Sequence, residues 1–249
     1  MENVPGLLVR EAREKLDEAL AEKAGFEIVG PIVIDAWDFG AATRRARVVV
    51  VGYDKKYVTG FCEKDIEKAK RRSKATARDA ISDLPEPADR DWLPYKEKEQ
   101  SELSQYARSA RMKPASDLGS VTSRQRLAKK EVSGVRSTRH TKEVIERFGA
   151  VAQGTTDEKS RCPRLAWDKP CPTLRAGTGP DKGSYQSIRP IHPVSHRVIS
   201  VREAARLQGF PDWFQFDATK WHSFRMIGNS VSPPMSEAIL RLLYERTSA

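Results

Sequence analysis

Residues 121–142, VTSRQRLAKKEVSGVRSTRHTK, hold seven cations, Arg124, Arg126, Lys129, Lys130, Arg136, Arg139 and Lys142, against a single acid, Glu131. Positive charge at this density suits phosphate. If all seven met phosphates, counterion release would give a log-log salt slope of about −6, an upper bound. A solvated charged loop is the other reading. Arg45 and Arg47 occupy alternate positions ahead of four valines, Val48 to Val51, so they form a cationic entry to an apolar run. Cys62, Cys162 and Cys171 make no CxxC pair and the four histidines are scattered, which points to neither a zinc site nor a disulfide framework.

The chain as a whole repeats the cationic bias. Lys and Arg number 44 against 34 Asp and Glu, a net charge of +10, which favours a polyanionic partner, nucleic acid first. A merely basic soluble protein is the alternative. With 249 residues, 39% of them hydrophobic, there is material for a packed core of one large or two small domains. No apolar stretch reaches the roughly 20 residues that span a bilayer, and no signal pattern opens the chain. The expectation is a soluble cytoplasmic protein with reduced cysteines and no metal.

Several elements must position these groups. Val9, Ala12, Leu16, Ala19 and Leu20 recur at helical spacing, predicting an amphipathic helix over 9–24 that Gly25 ends. FEIVGPIVID and RVVVVGYD read as strands, the second buried on both faces. Residues 65–84 read as a charged helix, and Pro85 marks a domain boundary before a polar, proline-punctuated region. Order returns in a short helix within ISVREAARLQGF and in a last helix that starts at SPPMSEAILRLLYER with proline in its first turn. A helix followed by two strands implies a sheet whose other strands come from elsewhere, and the exposed apolar faces require a covering surface.

RVISVREAARLQGFPDWF (197–214) and MIGNSVSPPMSEAI (226–239) together resemble the last two blocks of the DNA cytosine-5 methyltransferases. DFGAATRRARVVVVG (38–52) resembles the family's block of alternating arginines, with Ala42-Thr43 where Pro-Gln is usual. Glu2-Asn3-Val4 resembles its Glu-Asn-Val block. By this resemblance the fold is α/β: a partial, Rossmann-like S-adenosylmethionine-dependent methyltransferase sheet with a mixed, loop-rich target recognition domain. Residues 1–85 and 191–249 would belong to the catalytic part and 86–190 to the recognition domain.

The same resemblance implies the chemistry. In the family a cysteine thiolate adds to carbon 6 of a flipped cytosine, making carbon 5 nucleophilic toward the methyl group of S-adenosylmethionine. Glu2 would serve the base edge as general acid, Arg47 would contact the base carbonyl or a phosphate, and Arg45 a phosphate. Asn229, Ser230 and Val231 would wall the cofactor pocket, although a turn before a helix also reads as capping. Arg124, Arg126, Arg136, Arg139, Thr173 and Leu174 are the expected DNA contacts, and duplex DNA the expected partner. Arg202, Glu203, Arg206 and Gln208 read as buried ion pairs and hydrogen bonds.

Two decoys stand apart. Cys171 in KPCPT is followed by Pro172, not glutamine, and lies in the recognition segment, so it does not read as the nucleophile; GTGPDKG misses the nucleotide-binding spacing and reads as a surface loop. The family's Pro-Cys-Gln loop, its glycine-rich cofactor turn and its acidic ribose contact precede Glu-Asn-Val. The expectation is therefore a C-terminal portion that needs an N-terminal partner or segment, with an incomplete cofactor site and no activity alone; the alternative is a catalytically inactive, sequence-specific DNA-binding remnant.

Overall fold

The four valines form the middle of a three-stranded antiparallel sheet, in a computed structural model that describes residues 1–21, 25–115, 118–177, 189–216 and 219–247. Strands β1 (Glu2–Asn3) and β2 (Phe26–Asp35) flank β3 (Ala46–Asp54) in the order β1-β3-β2. Side chains alternate across a strand. Val49 and Val51 share one face with Val29 and Ile34, packed with Ile66 of α2 (Glu63–Lys68) and with Met235 and Ile239 of α9 (Pro233–Tyr244). Val48 and Val50, on the opposite face, are also buried. β2 bulges between Val29 and Ile32, and Gly30 makes the close approach feasible: its φ is 99° and a Cβ there would lie 2.6 Å from Val49 O.

Helix α1 (Arg10–Ala21) follows a short 3-10 turn, and Leu16 is its one buried side chain among those described. Residues 22–24, the end of the expected helix, lie outside the described residues. The charged stretch 65–84 is two short helices, α2 and α3 (Ala77–Ile81), rather than one. Arg71 N donates to Asp38 O at 2.7 Å, and Thr76 with Asp79 forms a reciprocal cap that starts α3 afresh.

The polar middle region is more ordered than its composition suggests. It holds a two-stranded ribbon of β4 (Leu93–Pro94) and β5 (Glu131–Val132), with helices α4 (Gln105–Ala110), α5 (Val121–Ala128) and α6 (Lys142–Ala150). Ser104, Ser120 and Thr141 cap these helices, each accepting from a backbone N–H three residues on. Ala77, Ile81 and Leu84 share one core with Leu93 and Val132 from this region and with Leu207 of α7 (Val201–Gln208) and Phe224 of α8 (Lys220–Asn229). Apolar packing is thus continuous across Pro85.

Every residue of α7 is buried, including its charged ones, which form the ion pairs that the sequence suggests. Arg206 Nε lies 2.6 Å from Asp212 and its Nη1 3.1 Å from Asp83. Burial alone would lower the Arg206 pKa, but Asp212 and Asp83 hold it well above its ordinary value. Arg202 Nε donates to Ser133 O at 2.9 Å, and Glu203 pairs with Arg197 at 2.9 Å. Removing one partner from such a pair would strand a buried charge, at a cost of about 3–5 kcal/mol. Among the described residues no helix is long and apolar enough to cross a membrane.

Candidate active site

Strand pairing brings the acid to the arginines. Glu2 lies opposite Val49, so Arg47 is its diagonal neighbour on the same face, a separation that long side chains bridge. Arg47 Nε stands 2.9 Å from Glu2 Oε1, with both side chains mostly buried. Among the described residues the buried Glu2 Oε1 makes no other hydrogen bond, so the ion pair with Arg47 is what holds it. Burial lowers the Arg47 pKa and the Glu2 carboxylate opposes that shift.

Arg45 is placed differently from the phosphate contact that the resemblance suggests: it is 1% exposed. Its Nη2 donates to Gly228 O at 2.9 Å and Ser230 O at 2.8 Å, and its Nη1 to Leu174 O at 3.3 Å. The Nε is buried without a partner. Burial, and then the neighbouring Arg47 charge, push its pKa down to about 10. Arg45 faces carbonyls because two chain segments close over it, and it fastens the one carrying Leu174 to the one carrying Ser230.

These groups line a cavity of about 460 Å³, together with Thr173, Leu174, Arg175 and Asn229. Glu2, Arg45, Arg47, Thr173, Leu174 and Asn229, drawn from both ends and the middle of the chain, thus converge on one place. Thr173 Oγ1 donates to Arg44 O at 2.7 Å, and Leu174 is buried in the core. Ser230 adjoins the cavity through its bond to Arg45, while its hydroxyl donates to Ile227 O; Val231 is exposed and does not line the cavity. The turn after Asn229 is not held by side-chain capping, since Ser232 precedes α9 but gives its hydroxyl to Gln208 O at 2.9 Å.

The basic stretch divides into two parts. On α5, Arg124 donates to Leu118 O and Gly119 O, and Arg126 pairs with Glu131 at 2.8 Å. In the loop beyond β5, Arg136 is exposed and Arg139 pairs with Asp89 at 3.2 Å. The replacement of Pro-Gln by Ala42-Thr43 has a structural counterpart. Ala42 N donates to Leu207 O at 3.0 Å, which proline could not do, and Thr43 Oγ1 donates to Cys171 O at 3.1 Å.

Cys171 is fully buried with its thiol pushed up to about 12, unsuited to nucleophilic attack at neutral pH. GTGPDKG lies outside the described residues from Thr178 onward. Sequence reasoning missed Arg175, an exposed cation at the cavity, although it directly follows Thr173 and Leu174. It also missed Gly228, where a Cβ would lie 2.5 Å from Ala176 N, so only glycine lets the two backbones meet.

Comparison with known proteins bears on this arrangement. Residues 1–245 match the family described as C-5 cytosine-specific DNA methylase. The type II methyltransferase M.XorII of Xanthomonas oryzae pv. oryzae is 38% identical over 248 residues, covering 96% of this chain; the chain spans only 56% of that relative's length. A crystal structure of a protein described as a DNA modification methyltransferase encoded within a prophage (E. coli) superimposes with a TM-score of 0.84 at 36% identity, over 98% of this chain and 68% of the other. The S. pombe Dnmt2 methyltransferase structure shares the fold alone, with a TM-score of 0.56 at 14% identity over 98% of this chain and 65% of that one. With its acid, arginines and Asn229 around one cavity, the chain belongs to the C-5 cytosine-specific DNA methylase family.

Proposed function

We propose that this chain forms part of a DNA cytosine-5 methyltransferase of restriction-modification type, acting on cytosine in duplex DNA. The observation that carries this reading is the cavity at which Glu2, Arg47 and Asn229 converge with Thr173 from the middle segment. Glu2, which lines the cavity, would bind the donor edge of a flipped cytosine and hold a proton at its ring nitrogen during addition to carbon 6. Arg47 would neutralise charge developing on the ring, and Arg45 would position the walls. S-adenosylmethionine, when bound, supplies an electrophilic methyl group. The Asn229 carboxamide and the Ser230 hydroxyl are polar groups suited to its amino-acid end, and they fit one wall of a site that other residues would complete.

On this reading residues 1–85 and 191–249 are the catalytic part and 86–190 the target recognition domain. No described cysteine lines the cavity, so the thiolate would come from another polypeptide segment, in the same chain or a separate one. The test measures transfer of labelled methyl groups to duplex DNA by the 249-residue chain, alone and mixed with a polypeptide carrying a Pro-Cys-Gln loop. The expected result is no transfer alone, transfer on mixing, and loss of transfer on mixing with Glu2→Gln. Transfer by the chain alone would overturn the need for a second segment. Duplex binding without transfer in either arrangement would favour a DNA-binding remnant.

A further inference from the structure

Helix α8 carries Lys220, Phe224 and Gly228 at four-residue intervals, which places them on one stripe about 12 Å long at the helical rise. A basic segment from elsewhere docks at each step. Lys220 Nζ donates to Ser137 O at 2.7 Å, fixing the start of α8 to the loop that bears Arg136. The Arg189 guanidinium lies over the Phe224 ring, 4.3 Å from its centroid. The backbone at Arg175 and Ala176 presses on Gly228, where the cavity begins.

Among the described residues, no carboxylate stands within ion-pair distance of Arg136, Arg175, Arg189 or Lys220. Burial, and then the charges of Arg189, Arg136 and Arg139, hold the Lys220 ammonium below its ordinary value, with Asp89 opposing. Uncompensated like charges at this spacing are relieved by a polyanion.

We propose that the cations gathered over the α8 stripe form a phosphate track, in which Arg136, Lys220, Arg189 and Arg175 contact phosphates of one DNA strand running to the cavity at Glu2 and Arg47. The match is one of order: Lys220 and Arg189 stand at the start and middle of the stripe, and the segments bearing Arg136 and Arg175 dock at its two ends, so the four cations follow one line toward the cavity. This rests on the reading of the chain as a DNA methyltransferase part, and it assigns contacts to Arg189, Lys220 and Arg175, which lie outside the dense basic stretch.

The experiment measures binding of a short mixed-sequence duplex to the 249-residue chain as a function of salt. Arg189→Leu, which keeps an apolar contact on Phe224, and Lys220→Ala are each expected to reduce the log-log slope by about 0.9, and both together by about 1.8. Lys220→Arg is expected to restore the slope, and Lys15→Ala on α1 to leave it unchanged. Thermal melts of each variant separate lost charge from lost fold. Slopes unchanged in folded Arg189→Leu and Lys220→Ala, with the parent chain still binding, overturn the track alone. Absence of salt-dependent binding by the parent chain overturns both the track and the DNA reading beneath it.

Discussion

Replacing Arg45 by methionine keeps the length of the side chain and removes its donors. Leu174 O at 3.3 Å and Gly228 O at 2.9 Å then lose this partner, and Ser230 O, which Arg45 reaches at 2.8 Å, is left with the longer bond from Gln208 Nε2 at 3.4 Å. A stranded buried acceptor costs about 1–3 kcal/mol, and the longest of these bonds contributes least. Part of the loss is offset, because a guanidinium whose pKa is pushed down to about 10 by burial and by Arg47 is incompletely repaid for leaving water. The expected net destabilisation is about 2–4 kcal/mol, or a fall in Tm of about 5–15 °C for a chain of this size. Circular dichroism melts give the global figure. Hydrogen exchange at residues 173–176 and 228–231 gives the local one, and both segments should open together. Arg45→Lys, still cationic but with one nitrogen, should fall between. A methionine variant that melts within about 0.5 kcal/mol of the parent and exchanges identically at both segments would refute the fastener role. If such a variant lost one phosphate's worth of salt slope instead, Arg45 would be the DNA contact that the resemblance suggests.

Two further outcomes are expected. Burial holds both His140 and His192 below the ordinary histidine pKa, and His192 Nδ1 accepts from Val194 N and Ser195 N, a bond only the neutral ring can make. The unfolded chain therefore takes up protons below about pH 6.5 that the folded chain refuses, and stability should fall with pH by up to about 1.4 kcal/mol per unit per histidine. Melts from about pH 7.5 to about pH 5, above most carboxylate titration, measure this; His192→Gln should flatten the curve, and an unflattened curve would count against the assignment. Alkylation at neutral pH should modify exposed Cys62 and spare Cys171 until the chain unfolds, as peptide mass mapping would reveal. Equal rates at the two cysteines would contradict the buried, protonated thiol.

The sheet was legible because the four valines of β3 have no other use, and the two late blocks were legible because long patterns name their own family. The residues that converge at the cavity were readable as types, whereas their distances came from the β1–β3 register, which two residues of strand could not disclose. The middle region was opaque. α4, α5 and α6 are short and polar, and their starts rest on single Ser or Thr caps rather than on apolar period. The charged stretch misled for a related reason: helical composition ran through residues 69–76, where a tertiary bond from Arg71 N to Asp38 O ends the helix. Arg45 misled because spacing reveals that a guanidinium is present and says nothing of whether other chain will close over it.

The segment that bears Thr173 and Leu174 is held largely through its main chain. Cys171 N donates to Ala42 O at 2.8 Å and Arg44 N to Cys171 O at 2.8 Å, while Thr43 and Arg45 donate to further carbonyls of the same segment. Gly228 meets the backbone atoms of Arg175 and Ala176, not their side chains. Such docking is indifferent to identity at the exposed Arg175, while Thr173 adds one side-chain bond to Arg44 O at 2.7 Å. A change at Arg175 can therefore alter the charge at the cavity without undocking the segment, whereas any side chain added at Gly228 would force the two backbones apart.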